Sequence, residues 1–132
     1  MVLLNDLKFF KMKKDVIIFW IFTGIIALFE GVMPAATFNS EMATEGIRHL
    51  GYPSYFGPMI ATFKVLGVLA IVLPMVPARF KEWAYGCFFI ELLCASYSHL
   101  CVDGLGGAAF FPLIILGLFA GSYIYYHKLK TN

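Results

Sequence analysis

The stretch FGPMIATFKVLGVLAIVL (56–73) decides the fold, because it is apolar, long enough to cross a bilayer, and interrupted near its middle by Lys64. A second stretch, WAYGCFFIELLCASYSHLCV (83–102), carries Glu91 near its middle. A charged side chain at the centre of a membrane is unfavourable by at least about 2.5–3.5 kcal/mol unless it is compensated. We therefore expect Lys64 and Glu91 to be paired with each other or to face water.

The composition indicates an integral membrane protein, since 61% of the residues are hydrophobic and the mean hydropathy is +0.81. The 132 residues accommodate one transmembrane domain, 1–132, of four helices that each need about 20 residues. We predict an all-α fold, an antiparallel four-helix transmembrane bundle with a short outer-surface helix between the first and second spans. The predicted spans are 15–33, 56–73, 83–102 and 109–126.

Basic residues predict the orientation, because they accumulate on the cytoplasmic side of short loops. They flank the predicted inner ends of all four spans, whereas Arg48 is the one basic residue predicted outside. Both termini are therefore predicted to be cytoplasmic, and the net charge of +2 follows topology without suggesting nucleic-acid binding. The inner basic residues are Lys8, Lys11, Lys13, Lys14, Arg79, Lys81, Lys128 and Lys130, and the predicted inner aromatic belt is Trp83, Tyr85, Tyr123, Tyr125 and Tyr126.

The segment between the first two spans has the signals of a short helix. Asn39 or Ser40 can cap it, Glu41 suits its first turn, and Gly51 followed by Pro53 ends it. An apolar side is predicted to contain Met42, Ile47 and Leu50. The helix is either a lid on the outer surface or a simple connector, with Glu41, Glu45, Arg48 and Tyr52 as the candidate lid residues.

Depth in the membrane predicts two tiers of polar side chains. Lys64 lies ten residues from Pro74 and Glu91 nine from Glu82, which places the two charges level near the midplane. Glu30 and His99 lie farther from the inner ends of their spans and are predicted to meet nearer the outer side, with Ser98 beside His99. Each tier either fixes helix register or lines a cavity for a ligand or for protons.

Histidine and cysteine give little support for a metal or redox centre. His49 and His127 are predicted on opposite sides of the membrane, so they cannot both join His99 in one site. The three cysteines repeat every seven residues, too far apart along a helix for a disulfide. We predict that these cysteines pack at a helix interface, and they are Cys87, Cys94 and Cys101.

Four short motifs give the chain a family resemblance from about residue 20 to residue 123. They are LGYPSYF (50–56), KVLG (64–67), KEWAYG (81–86) and ASYSHL (95–100). Together they resemble the DoxX-like family of small four-helix membrane proteins. The resemblance implies a bacterial inner membrane, and it highlights Tyr52, Pro53, Lys64, Glu82, Trp83, Tyr85, Ser98 and His99 without assigning a catalytic residue.

The resemblance implies several functional classes. Some relatives are membrane subunits of thiosulfate:quinone oxidoreductase or terminal quinol oxidase systems, and a similar animal protein assists receptor assembly in the endoplasmic reticulum as a chaperone. We favour a noncatalytic helper or assembly factor that binds partner transmembrane helices or a lipid-like ligand through a polar cavity. The alternatives are a quinone-linked oxidoreductase subunit and a small proton-coupled transporter.

The predicted partners and cofactors follow from that preference. The predicted partner is the lipid bilayer, and no nucleic acid is expected to bind. Whether other membrane proteins or a second copy of the chain also bind stays an open alternative. The helper needs no cofactor, since the chain has no Cys-x-x-Cys pair and no dinucleotide fingerprint. If the chain is instead a subunit of a quinone-linked oxidoreductase, the expected cofactor is a quinone.

Overall fold

The computed structural model describes the backbone of residues 2–38 and 40–131 and the side chains of residues 11–38 and 40–129. All regular structure in these ranges is helical, and no strand occurs in them. The elements are α1 (Val2–Ala27), a π-helical segment (Leu28–Val32), α2 (Met33–Ala36), α3 (Glu41–His49), α4 (Phe56–Val72), α5 (Ala78–Asp103) and α6 (Gly107–Thr131).

Three helical segments are long and apolar enough to cross a membrane. They are Lys11–Ala36, Ala78–Asp103 and Gly107–Leu129. The remaining predicted span coincides with α4, an apolar helix of 17 residues, which extends about 26 Å against a hydrocarbon core of about 30 Å.

Large apolar side chains point outward on the long helices and on α4. Ile17, Phe63, Ile90 and Phe110 are each more than half exposed. Soluble domains rarely expose apolar surface this extensive, whereas a bilayer solvates it. These apolar helices indicate contact with lipid, in agreement with the predicted membrane protein.

The interior is formed mainly where α5 and α6 meet. The Phe88 and Phe119 rings stack with their centroids 4.5 Å apart, and Phe119 is fully buried. Ser96 contacts Ala109 at one end of the pair, and Glu82 contacts Tyr123 toward the other. These two helices therefore run in opposite directions.

Helix α1 packs on α6 at a site where only glycine fits without rearrangement. A Cβ atom added at Gly121 would lie 2.9 Å from the ring of Phe22. At this distance the ring would have to move, which explains the small residue at this crossing. By contrast, a Cβ atom at Gly117 would meet no atom within 4 Å among the described residues.

Helix α3 forms as the sequence predicted, although one of its faces differs. The Ala43 N–H donates to Ser40 Oγ at 3.1 Å, and Gly51 ends the segment with a φ of 88°. Asn39, the alternative cap, lies outside the described residues. Ile47 packs toward Gly57, but Met42 is 85% exposed and is not part of the packed face.

The Ser40 cap gives a local stability prediction. Ser40→Ala should destabilise α3 by about 1 kcal/mol, which corresponds to roughly fivefold faster exchange of its amide hydrogens. Hydrogen exchange followed by mass spectrometry on the detergent-solubilised protein measures this, with Ser54→Ala as the control because Ser54 caps no helix. Equal exchange rates in the two variants would contradict the role of the cap.

Some helices begin before the predicted spans, and two predictions about side-chain positions were wrong. Helix α5 begins at Ala78, before the predicted span 83–102, and α1 and α6 also begin before their predicted spans. Tyr85, predicted in the inner aromatic belt, is only 1% exposed and belongs to the core. The cysteines predicted to pack at a helix interface are instead free and exposed, and they are Cys87, Cys94 and Cys101.

Candidate functional site

The predicted Lys64–Glu91 pair is confirmed, and a third charge joins it. Lys64 Nζ lies 3.4 Å from Glu91 Oε1 and 3.0 Å from Glu30 Oε2. The exposed fraction of these side chains is 23% for Lys64, 21% for Glu91 and 8% for Glu30. We call Glu30, Lys64 and Glu91 the triad, and it joins the π-helical segment to α4 and α5.

Glu30 reaches Lys64 from an irregular part of the first span. Pro34 has no N–H to donate to the carbonyl of Glu30, so a regular helix cannot continue its hydrogen bonds there. The chain forms the π-helical segment instead, and the Met33 N–H bonds to Leu28 O, five residues earlier. Such segments often occur at functional sites. A proline four residues after Glu30 was the sequence signal that could have predicted this irregular segment.

The close approach of this segment to α4 depends on Gly31. A Cβ atom added at Gly31 would lie 3.0 Å from Cγ1 of Val68. Val68 would have to move to accommodate that atom. A glycine here therefore lets the backbone that carries Glu30 lie directly against α4.

The charges of the triad do not balance when all three groups are ionised. One ammonium faces two carboxylates, which leaves a net charge of −1. The buried Oε2 atoms of Glu30 and Glu91 have no hydrogen-bond partner among the described residues, although Glu30 Oε2 lies 3.0 Å from Lys64 Nζ. A buried carboxylate oxygen without a hydrogen bond is energetically costly.

Lys64 lines three cavities that meet at the triad. The outer cavity, about 340 Å³, lies among α2, α3 and α4 and is also lined by Met33, Ile47 and Ala61. The side cavity, about 220 Å³, is lined by Tyr52, Ser98 and Glu91, among others. The lateral groove, about 650 Å³, lies between α4 and α5 and has the lining residues Phe63, Leu66, Gly67, Phe80, Trp83 and Cys87 besides Lys64 and Glu91.

Tyr52 and Ser98 close the side cavity together. Their hydroxyl oxygens are 2.6 Å apart, and the Tyr52 ring stacks on Phe56 with a centroid distance of 4.4 Å. Tyr52 was predicted among the outer lid residues, but its hydroxyl turns toward α5. The structure thus brings two predicted site residues close to the triad.

The predicted partnership of Glu30 with His99 is wrong. His99 Nδ1 lies 3.2 Å from Asp103 Oδ2, while His49 Nε2 lies 2.5 Å from Asp103 Oδ1. Glu30 instead contacts Lys64, and His99 lies four residues before Asp103, the last residue of α5. The two side chains therefore belong to different polar clusters.

The His49, His99 and Asp103 cluster, which we call the outer latch, connects α3 to the end of α5. His99 also lines both the outer cavity and the side cavity. The outer latch therefore holds α3 beside the outer cavity and the side cavity. Within the described residues, no group of three or more histidines, cysteines or carboxylates could hold a metal ion.

The other predicted lid residues lie away from the triad. Glu45 and Arg48 form an exposed ion pair of 2.6 Å. Together with Glu41 they line a shallow surface depression on α3. The structure does not bring these three side chains into the cavities around Lys64.

Sequence reasoning missed two buried polar arrangements nearer the other end of α5. Lys81, interpreted only as a topology signal, donates to the carbonyl oxygens of Ala70, Ile71 and Leu73 at 2.6–2.9 Å. The hydroxyls of Thr23, Ser122 and Tyr85 form a chain with oxygen distances of 2.8 and 2.7 Å. The hydroxyl residues within the apolar spans were the sequence signal that could have predicted these hydrogen bonds.

Comparison with known proteins gives one family match. The model of the DoxX-like family matches residues 18–122, a range that includes the whole triad and Ser98 and His99. No curated protein matches the chain, and no solved structure matches it.

Proposed function

Because the chain belongs to the DoxX-like family, we propose that it is a noncatalytic membrane helper that binds a lipid-like ligand at the triad. One observation carries this proposal: Lys64 contacts two carboxylates and also lines three adjoining cavities. The ligand enters the lateral groove from the bilayer, and its polar end meets Lys64 and Glu91. The helper presents or stores this ligand for other membrane proteins.

A purely structural ion pair accounts less well for this arrangement. Register between α4 and α5 needs only one carboxylate opposite Lys64, and a second buried carboxylate adds a desolvation cost without balancing charge. The triad also adjoins open space on several sides, whereas packed side chains would surround a structural pair. Ligand-binding sites typically combine an apolar lining with a few polar groups, and the lateral groove has this composition.

The proposed arrangement in the membrane is an antiparallel four-helix bundle in one domain, with α4 as the second span. A local thinning of the bilayer or flanking side chains accommodate its short length. Both termini lie in the cytoplasm of a bacterium, and α3 lies on the outer surface of the inner membrane. The distribution of basic residues supports this orientation.

The orientation can be tested by cysteine labelling in a variant whose three native cysteines are replaced by serine. Met42→Cys should react with a membrane-impermeant maleimide added to intact cells, since Met42 is 85% exposed on α3. Thr131→Cys, near the C-terminus, should react only after the cells are permeabilised. The reverse pattern would contradict the proposed topology.

The proposed function can be tested by filling the lateral groove. Cys87 lines the groove, whereas Cys101, also exposed and on the same helix, lines none of the three cavities. Cys87→Trp should reduce the amount of lipid-like ligand that co-purifies in mild detergent by at least about fivefold, as measured by native mass spectrometry. Cys101→Trp should retain it, and equal amounts in both variants would contradict the groove as the site.

A membrane subunit of a quinone-linked oxidoreductase is the second candidate. The aromatic side chains Phe63, Phe80, Trp83 and Phe88 line the lateral groove, which ends at Lys64 and Glu91. Such a groove suits an isoprenoid tail and a headgroup that forms hydrogen bonds. Quinone identified as the main co-purifying molecule would favour this candidate.

A further inference from the structure

We propose that the lateral groove selects an amphiphile with a primary ammonium head, which binds at Glu91 while the alkyl chain lies along α4 and α5 toward Trp83. This inference rests on the proposed function and names the chemical class of its ligand. Three observations lead to it: the charge of the triad, the partly exposed carboxylate of Glu91 in the groove, and the shape of the groove.

The charge of the triad favours a cationic head. With Glu30 and Glu91 ionised, Lys64 neutralises one carboxylate and leaves a net charge of −1. In a low-dielectric setting this charge repels a phosphate or carboxylate head and attracts an ammonium head. A bound cation makes the site neutral, with two positive and two negative groups.

The partly exposed carboxylate of Glu91 favours a head that also donates hydrogen bonds. The Glu91 side chain lines the groove and is 21% exposed, while its Oε1 atom faces Lys64. A primary ammonium supplies an N–H donor together with its charge, and hydrogen bonds between charged groups are the stronger ones. A quaternary ammonium has the charge without a donor, and an alcohol has the donor without the charge.

The groove has room for the tail on one side of Glu91. Trp83 lies eight residues before Glu91 on α5, about 12 Å along the helix. Between them the lining is apolar and includes Leu66, Gly67 and Cys87. An alkyl chain that starts at Glu91 therefore passes beside the indole of Trp83.

Gly67 lets α4 pack closely on α5 at the base of this groove. A Cβ atom added there would lie 2.6 Å from Cε2 of Phe88, so a larger residue would force the Phe88 ring to shift. The α4 backbone and the buried Phe88 ring are thus in direct contact at the base of the groove. Both residues also line the groove.

Fluorescence quenching tests the inference with the two tryptophans of the chain. Trp83 lines the groove, whereas Trp20 is on α1, is 47% exposed and lines none of the three cavities. The Trp20→Phe variant reports on the groove, and the Trp83→Phe variant reports general partitioning of the probe. Each is titrated at neutral pH in nonionic detergent with an alkyl probe that carries a terminal bromine and an amine, trimethylammonium, alcohol or carboxylate head.

The expected result is saturable quenching of Trp83 by the amine at least about tenfold tighter than by the other three probes, with no such preference at Trp20. Glu91→Gln should lower the affinity for the amine about tenfold and leave the alcohol unchanged. Equal affinities for all heads, or a preference for the carboxylate, would overturn the ammonium inference and leave ligand binding in the groove intact. If none of the probes quenches Trp83 more than Trp20, both the inference and the proposed function fail.

Discussion

Replacing Lys64 with methionine is expected to destabilise the protein by about 3–5 kcal/mol, because it leaves two buried carboxylates without their cation. The exposed residue Lys13 is the control, and Lys13→Met should change stability by no more than about 0.5 kcal/mol. Unfolding in mixed micelles with increasing denaturing detergent measures both variants. A loss for Lys64→Met as small as that of the control would contradict the triad.

The pattern of rescue separates a triad from a simple pair. In the Lys64→Met background, Glu91→Leu removes one orphaned carboxylate and should recover only part of the loss, since Glu30 stays buried and unbalanced. Adding Glu30→Leu should recover most of the remainder, because well-packed apolar residues often replace buried charges without loss. Full recovery in the double variant would show that Glu30 does not share the site.

Lys81→Met is expected to have the second largest effect, a loss of about 2–4 kcal/mol, since it removes the donor to three carbonyl groups at the end of α4. Those carbonyls have no following helical turn to satisfy them. Lys14→Met, on an exposed side chain of α1, serves as the control in the same unfolding measurement. If the two variants are equally stable, Lys81 does not secure the end of α4.

Local signals predicted much of the helical structure. Ser40 and Gly51 bounded α3 correctly because a cap and a positive φ depend on residues adjacent in sequence. The long apolar stretches predicted the membrane-compatible helices, and equal depth predicted the contact between Lys64 and Glu91. Each of these features depends on composition or spacing along a single segment.

Features that depend on how helices start and rotate were predicted less well. Glu30 lies on a π-helical segment that depth counting along a regular helix does not anticipate, and it contacts Lys64 in place of His99. Tyr85 and Lys81 both have an apolar stem and a polar end, so each can lie either at the membrane surface or buried between helices. Which side of a helix faces the core is set by tertiary packing, so spacing alone did not place them.

The most direct test of ligand binding at the triad is an experimental structure of the protein extracted with its native lipids into nanodiscs. We expect non-protein density in the lateral groove that ends within hydrogen-bonding distance of Glu91, with Lys64 between Glu30 and Glu91. A structure in which side chains fill the groove, or in which Glu30 lies away from Lys64, would contradict the proposed binding site.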